Sequence, residues 1–561
     1  MMNRRTFIRT TGFSIGALII RPAIKVLSNS SVNQDVISFP DEVTVISDKG
    51  SFTLTSSDKS LWKANDMMVK LSETRNAVAV DVQSPVEKLK SVVLKWKTQK
   101  AASVRCLGDH WERSYGDLRW QILDEERIMP WYFMEYDGRV TNGFGVRTGC
   151  RSMCFWQVGA ESVRLTLDIR SGGNGVRLGD RALRAAEIVV QKGMEGDSPF
   201  VSTRKFCQAM CESPRLPKKP VYGINDWYFA YGNNSDDLII QHTSLMAESA
   251  AGNSNRPFSV IDAGWAKLSP KRLGDICWGD DFTACNSKFT DMAKLADTIK
   301  TLGMRPGIWV RPLSASVNDN QSRLLPGIPG RNNLTAPFLD PTIPENIEKI
   351  KNIFVVCKTW GYELIKHDFT TFDLLGKWGF QMFESRDITS GDWRFYDDTL
   401  TNAEIILNLY SAIREASGET YLLGCNTVSH LSAGLFELQR IGDDTSGQEW
   451  ERTRKMGVNT LGFRMPHHGM FYAADGDCVG LTTKVPWEKN KQWMQLVAES
   501  GTPLFISAQK EAVGEAQKAF ITQCFKTASQ LTPPGEPLDW LENQFPSRWR
   551  LMGKVVEFDW S

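Results

Sequence analysis

The sequence predicts a multidomain protein of the α/β and β classes: an N-terminal β-sandwich, a central (β/α)8 barrel and a short C-terminal appendage. Three observations predict it. Residues 38–214 carry short runs of β-branched and aromatic residues separated by Gly, Asp and Ser, the pattern of an antiparallel β domain. Over 220–507, eight short apolar runs alternate with longer segments of helical period, which is the size and rhythm of a (β/α)8 barrel. Between the two lies Leu216-Pro217-Lys218-Lys219-Pro220, a stiff polar connector through which neither a strand nor a helix continues comfortably.

In chain order, residues 1–33 have the form of a twin-arginine export signal. Asn3-Arg4-Arg5-Thr6-Phe7-Ile8-Arg9 precedes a weakly apolar run at 11–20 that is too short to span a bilayer. The mature chain is expected to begin between Val26 and Gln34, without a membrane span, in the periplasm or at the cell surface. In the β domain, 51–55, 91–96 and 162–168 are expected strands. Barrel strands are expected at 221–229, 258–265, 305–310, 362–369, 420–427, 435–441, 460–465 and 502–507, with helices at 289–302, 344–360, 402–416 and 488–499. The remainder, 508–561, holds a helix candidate at 514–529 and a strand-like ending at 554–560, an expected helix plus short β segment packed on the barrel.

Composition excludes some functions. Hydrophobic content of 42%, charged content of 23% and a formal net charge of +1 describe a folded protein with no field to attract nucleic acid. The 19 Trp can stack on sugar rings, although most Trp belong to cores or interfaces. Eleven Cys leave at least one unpaired in a monomer. Cys150/Cys154 and Cys207/Cys211 lack the second ligand pair a zinc site needs, and His467-His468 lacks the spacing for joint coordination. Buried thiols or a local disulfide are expected for the cysteines, and neither metal nor organic cofactor is implied. The sequence sets no oligomeric state.

Reacting groups in such a barrel sit where strands end. The expected strand ends offer Asp226 and Trp227, Asp262 and Trp265, Trp309 and Arg311, Lys366 and Asp368, Cys425 and Asn426, then Arg440, Asp443 and Asp444, and finally Arg464, His467 and His468. These are acids, bases and tryptophans with no phosphate-cradling Gly loop, the composition of a sugar site. Two carboxylates on nearby strand ends are the minimum for cleaving a glycosidic bond. Lys366 and Asp368 share one face of their strand and His367 points elsewhere; a lysine so placed keeps Asp368 ionised, as a nucleophile must be. Asp443 and Asp444 both reach a site from the loop after strand six, and repulsion between them would raise the pKa of one, as a general acid requires. Arg311 is expected either to bind the sugar or to form an ion pair at the rim. Gly108-Asp109-His110-Trp111-Glu112-Arg113 is expected mainly as a sandwich loop, with a reach to the barrel mouth as the second reading.

These segments resemble glycoside hydrolase family 36 and its clan relatives, the retaining α-galactosidases. That family carries K-x-D-F on strand four and R-I-G-x-D-T after strand six; here they read Lys366-His367-Asp368-Phe369 and Arg440-Ile441-Gly442-Asp443-Asp444-Thr445. Gly424-Cys425-Asn426, Leu339-Asp340-Pro341-Thr342 and Ala474-Asp475-Gly476-Asp477-Cys478 resemble its strand-five G-C segment, its L-D-P turn and its D-x-D-C segment after strand seven. The resemblance implies an exported retaining exo-glycosidase acting on oligosaccharide or polysaccharide, with Asp368 as nucleophile and Asp444 as acid/base. Trp227, Asp262, Trp265, Trp309, Arg311, Lys366, Cys425, Asn426 and Arg440 are the implied sugar-binding residues. One departure bears on the glycone: many relatives carry two adjacent aspartates before G-W, and this chain has Asp262-Ala263-Gly264-Trp265. A sugar lacking the 6-hydroxyl, such as β-L-arabinopyranose, is therefore an alternative to galactose. A galactosyl-transferring enzyme and a catalytically silent carbohydrate-binding protein are further alternatives.

Overall fold

The computed structural model describes residues 39–268, 279–316, 319–327 and 337–561. The expected export signal at 1–33 lies outside the described residues. The N-terminal domain pairs a six-stranded with an eight-stranded sheet, both antiparallel throughout. Alternation aims the apolar faces inward: Val43 and Val45 of Glu42–Ser47, and Val163 and Leu165 of Ser162–Asp168, are buried while their neighbours are not. The β pattern stops earlier than 214, because Pro199–Met210 is a helix, capped by Ser198 Oγ accepting from the Val201 N–H at 3.2 Å. It lies close on the strand Thr141–Val146 because two glycines make room; a Cβ on Gly143 would sit 2.4 Å from the Phe206 ring.

The barrel strands are Tyr222–Asn225, Phe258–Ile261, Arg305–Val310, Leu364–His367, Tyr421–Gly424, Leu438–Arg440, an interrupted seventh, and Leu504–Ala508, all parallel. Phe258, Val260, Leu364, Leu423, Leu438 and Phe505 cluster in the interior, and the alternate residues Ile261, Ile308, Ile365, Leu422 and Ile506 join the larger core outside. Four helices fall where expected, at Met292–Thr301, Pro344–Thr359, Asn402–Ser417 and Trp487–Glu499.

Strand seven is a correction. Residues 460–465 are helical, Thr460–Arg464 continuing directly from a π-type turn at Arg454–Asn459; a six-residue apolar run carries no period long enough to separate strand from buried helix. The strand is instead split into Ala473–Asp475, paired with strand six, and Cys478–Leu481, paired with strand eight. Gly476 and Asp477 form the break, Asp477 with φ +73°, and the sheet order closes around the ring through this one interrupted strand. The D-x-D-C segment thus lies within strand seven rather than after it.

After strand eight, the helix Glu515–Ala528 packs on the barrel, Phe525 edge-on to Tyr222 of strand one at 5.2 Å. A three-stranded sheet ends the chain, Glu536–Pro537, Arg548–Leu551 and Lys554–Glu557. The loop between its first two strands joins sandwich and barrel: the Trp540 ring lies 5.7 Å from Trp120 and 5.6 Å from Phe463, and the Arg105 guanidinium donates to the Leu541 carbonyl at 2.7 Å. Among the described residues no helix is long and apolar enough to cross a membrane.

Candidate active site

A cavity of about 320 Å³ opens at the C-terminal mouth of the barrel, and Asp368, Asp443 and Asp444 all face it. Its floor follows from the strand register. Ile261 is level with Ile308, and Trp309 with Lys366, so Asp262, Trp309 and Lys366 occupy one rung with Asp368 above them.

Two N–H groups hold the Asp368 carboxylate. The Trp309 indole donates to Oδ2 at 3.0 Å, and the Phe369 backbone N–H donates to Oδ1 at 2.7 Å. Phe369 itself adopts φ +65°, a left-handed conformation costing about 1–2 kcal/mol for a residue with a Cβ. Lys366 differs from expectation: its Nζ donates to Asp262 Oδ2 at 2.7 Å rather than to Asp368, because it lies a rung deeper. Burial disfavours its charge, but Asp262, with smaller help from Cys425 and Asp368, holds the ammonium well above its usual pKa. Asp262 also accepts from Asn225 Nδ2 at 2.7 Å and the Ala263 N–H at 2.8 Å. Behind it, burial and the Asp262 charge push the Asp226 carboxyl up to about 7.

Asp444 accepts from the Arg440 guanidinium at 2.9 Å and lies 3.8 Å from that of Arg113. Burial pushes its carboxyl up, yet Arg440 and Arg113, then Lys366 and Arg452, outweigh it and hold the group below the ordinary carboxylate value. This overturns the expectation that Asp443 raises it: Asp443 turns to Arg113 and Arg452, each at 3.0 Å. Arg440 is anchored in turn by Asp477 at 2.5 Å, the Tyr228 hydroxyl at 3.2 Å and Cys425 Sγ at 3.6 Å. The break in strand seven is what brings Asp477 beneath it.

Of the expected sugar-binding residues, Trp227, Asp262, Trp309 and Lys366 line the cavity. The others stand behind its wall. Trp265 is buried and donates to the Trp309 carbonyl at 2.8 Å. Arg311 forms a two-pronged pair with Asp373 at 2.9 and 2.6 Å and lies 4.1 Å from the Phe369 ring centre, so its role is the ion pair. Cys425 and Arg440 lie beneath Asp444, and Asn426 donates to Glu112 Oε2 at 2.8 Å. His367 points outward among Phe354, Tyr410 and Phe436, where burial lowers its pKa to about 3. His467 bonds the Tyr132 hydroxyl of the sandwich at 2.7 Å. Cys150 and Cys154 are in thiol contact at 3.9 Å, and among the described residues no cluster of His, Cys, Asp and Glu is arranged to hold a metal ion.

Three cavity residues were not expected, Trp378 and Phe380 from the segment after strand four and Tyr115 from the sandwich; Arg113 joins them from the segment whose second reading was a reach to the barrel mouth. The 109–115 segment is therefore part of the site and not a sandwich loop alone. Buried Arg464 holds it, donating to Asp109 Oδ1 at 2.7 Å and to the carbonyls of Glu112, Ile441 and His110 at 2.7, 2.9 and 3.2 Å. Ser114 then pairs with the loop after strand six: its N–H donates to the Ile441 carbonyl, and its carbonyl accepts from the Asp443 N–H, both at 2.9 Å. The polar and aromatic richness of 108–113 was the only sequence signal for this.

An antiparallel β-sandwich followed by a parallel barrel is the fold of the family 36 α-galactosidases. The α-galactosidase TtGalA of Thermus thermophilus, solved with p-nitrophenyl α-D-galactopyranoside, matches with a TM-score of 0.57 at 17% identity, over 92% of this chain and 98% of that one. The family 36 α-galactosidase AgaA of Geobacillus stearothermophilus matches with a TM-score of 0.56 at 12% identity, over 87% and 75% of the two chains. In sequence, the α-galactosidase of Escherichia coli is 31% identical over 156 residues, 25% of this chain and 20% of that protein; the chain thus spans about a fifth of that relative. No protein-family model matches the chain.

Proposed function

We propose that this protein is an exported, retaining exo-glycosidase that releases terminal α-D-galactose from oligosaccharides. The observation that carries the reading is the placement of Asp368 and Asp444 on one cavity, each held by donors and each open to it. Asp368 attacks the anomeric carbon as the glycosidic oxygen departs and takes a proton from Asp444. The covalent glycosyl ester on Asp368 is then opened by water, whose proton returns to Asp444. Trp309 and the Phe369 N–H keep the Asp368 oxygens in line, and the Asp262–Lys366 pair offers the sugar hydroxyls both an acceptor and a donor. Support for galactose comes from the shared fold, one structure of which holds p-nitrophenyl α-D-galactopyranoside and another stachyose. Support for export comes from Arg4-Arg5 ahead of the short apolar run. Ala263 lining the cavity beside Asp262 favours, as the second reading, a glycone lacking the 6-hydroxyl.

The test is a panel of 4-nitrophenyl glycosides with wild-type protein, Asp368→Ala and Asp444→Ala. Turnover of the α-D-galactoside, lost in Asp368→Ala and partly restored by azide in Asp444→Ala, is the expected result. Preference for the β-L-arabinopyranoside selects the second reading. Sugar binding by calorimetry without turnover of any glycoside would replace both with a carbohydrate-binding protein.

A further inference from the structure

We propose that Arg113, carried by the N-terminal sandwich, is a positioning residue for the acid/base step, so that the reactive centre is divided between two domains; this rests on the reading of Asp444 as acid/base. The geometry is specific. The Arg113 guanidinium lies between the paired carboxylates, 3.0 Å from Asp443 and 3.8 Å from Asp444, and its other face lies 5.3 Å from the Trp378 ring centre. It is 8% exposed, lines the cavity and cannot drift, because Ser114 beside it is bonded through its backbone to Ile441 and Asp443, and its hydroxyl to Thr460 Oγ1 at 2.6 Å.

The arrangement has two chemical effects. Arg113, with Arg452, pairs with the Asp443 carboxylate and so offsets the charge that would repel Asp444. It also adds a second cation to the one Arg440 supplies. The charged and titratable groups around Asp444 include Arg440, Asp443 and Arg452 from its own segment, Arg113 and Tyr115 from the sandwich, Lys366 and Asp368 from strand four and its end, Cys425 after strand five, and Tyr228 and Asp477 around Arg440. Cations predominate, so the free protein holds Asp444 as the carboxylate, the form that activates water in the second step. The first step needs the acid form, and the site therefore works at acid pH. With Arg113 removed, one of the two nearest cations is lost and the working range moves upward.

The pH profile of kcat/KM on an α-galactoside, for wild type, Arg113→Gln and Arg113→Lys, tests this. The alkaline limb reports the acid form of Asp444. It is expected to shift upward by roughly one pH unit in Arg113→Gln, the scale of losing one nearby opposite charge, and to return most of the way in Arg113→Lys. Carbon-13 titration of the labelled Asp444 carboxyl, assigned by its loss in Asp444→Asn, reads the same shift without substrate. An upward shift of the carboxyl titration in a protein that turns over no glycoside would show that Arg113 sets the charge of Asp444, but would sink the proposed function and with it the role of Arg113 in an acid/base step. Reduced activity with both the limb and the carboxyl titration unmoved, in Arg113→Gln of wild-type circular dichroism, would make Arg113 merely structural and overturn the inference.

Discussion

Replacing Lys366 with Met isolates the pair at the base of the cavity. Lys366 Nζ and Asp262 Oδ2 are 2.7 Å apart, with side chains 8% and 3% exposed, so the substitution leaves a carboxylate nearly out of water. Breaking a buried pair by removing one partner costs about 3–5 kcal/mol. Asp262 keeps the bonds from Asn225 and the Ala263 N–H, which places the expected cost near the lower end, about 3 kcal/mol. Urea unfolding of the single variants and of Lys366→Met/Asp262→Asn forms a double-mutant cycle. The double variant should lose much less than the sum of the singles, with a coupling of about 2 kcal/mol or more. The sign of the pH dependence follows from the raised Lys366 pKa: its contribution is complete below the unfolded lysine value of about 10.4 and is lost as pH rises through the higher folded value. The part of the penalty that belongs to the lysine should therefore be lost only in strong alkali, while any variation near pH 7 reports Asp226, whose carboxyl responds to the Asp262 charge. Additive single variants would refute the assignment of Asp262 as the partner of Lys366.

Trp309→Phe keeps an aromatic floor but removes the indole N–H from Asp368; a hydrogen bond to a charged group is worth about 1.5–3 kcal/mol, so kcat/KM should fall roughly 10- to 150-fold while a buried ring is retained. Proton NMR of the first-released sugar should show the α anomer; a β product would rule out double displacement at Asp368. Asp109 is buried, and Arg464 with His467 overcomes that burial to hold its carboxyl below the usual value. Its stabilising contribution is thus present above about pH 4 and lost as pH falls through the lower folded value. Arg464→Met should flatten that part of the acid-unfolding curve, and an unchanged curve would count against the pair.

Much of the site was legible because short-range rules carry it. The alternation of Lys366, His367 and Asp368 assigned their faces correctly, since a strand's side-chain period is independent of context. The partner of Lys366 was not legible, because it depends on the register between strands two and four through strand three, which no local pattern encodes. Strand seven was misplaced for a related reason. Ala473–Leu481 is interrupted at Gly476-Asp477 and too short on either side to show a period, whereas Leu461 and Phe463 imitate alternation while sitting in a helix. Arg113 was legible only as the end of a segment whose second reading was a reach to the barrel mouth. A loop residue of one domain acquires its role only from the face of another against which it docks.

The backbone pairing of Ser114 with the loop after strand six also dictates an order of events during folding. Ser114 and Thr460 are 346 residues apart along the chain, and contacts of such separation form late, after the entropy of closing the intervening loop has been overcome. The 109–115 segment is made long before the residues that hold it, so Asp444 acquires its full set of cations only when Arg464 has been made and has gripped that segment. A chain ending before Arg464 would therefore lack the side chain that grips the 109–115 segment, and Arg113 would not be held beside Asp444.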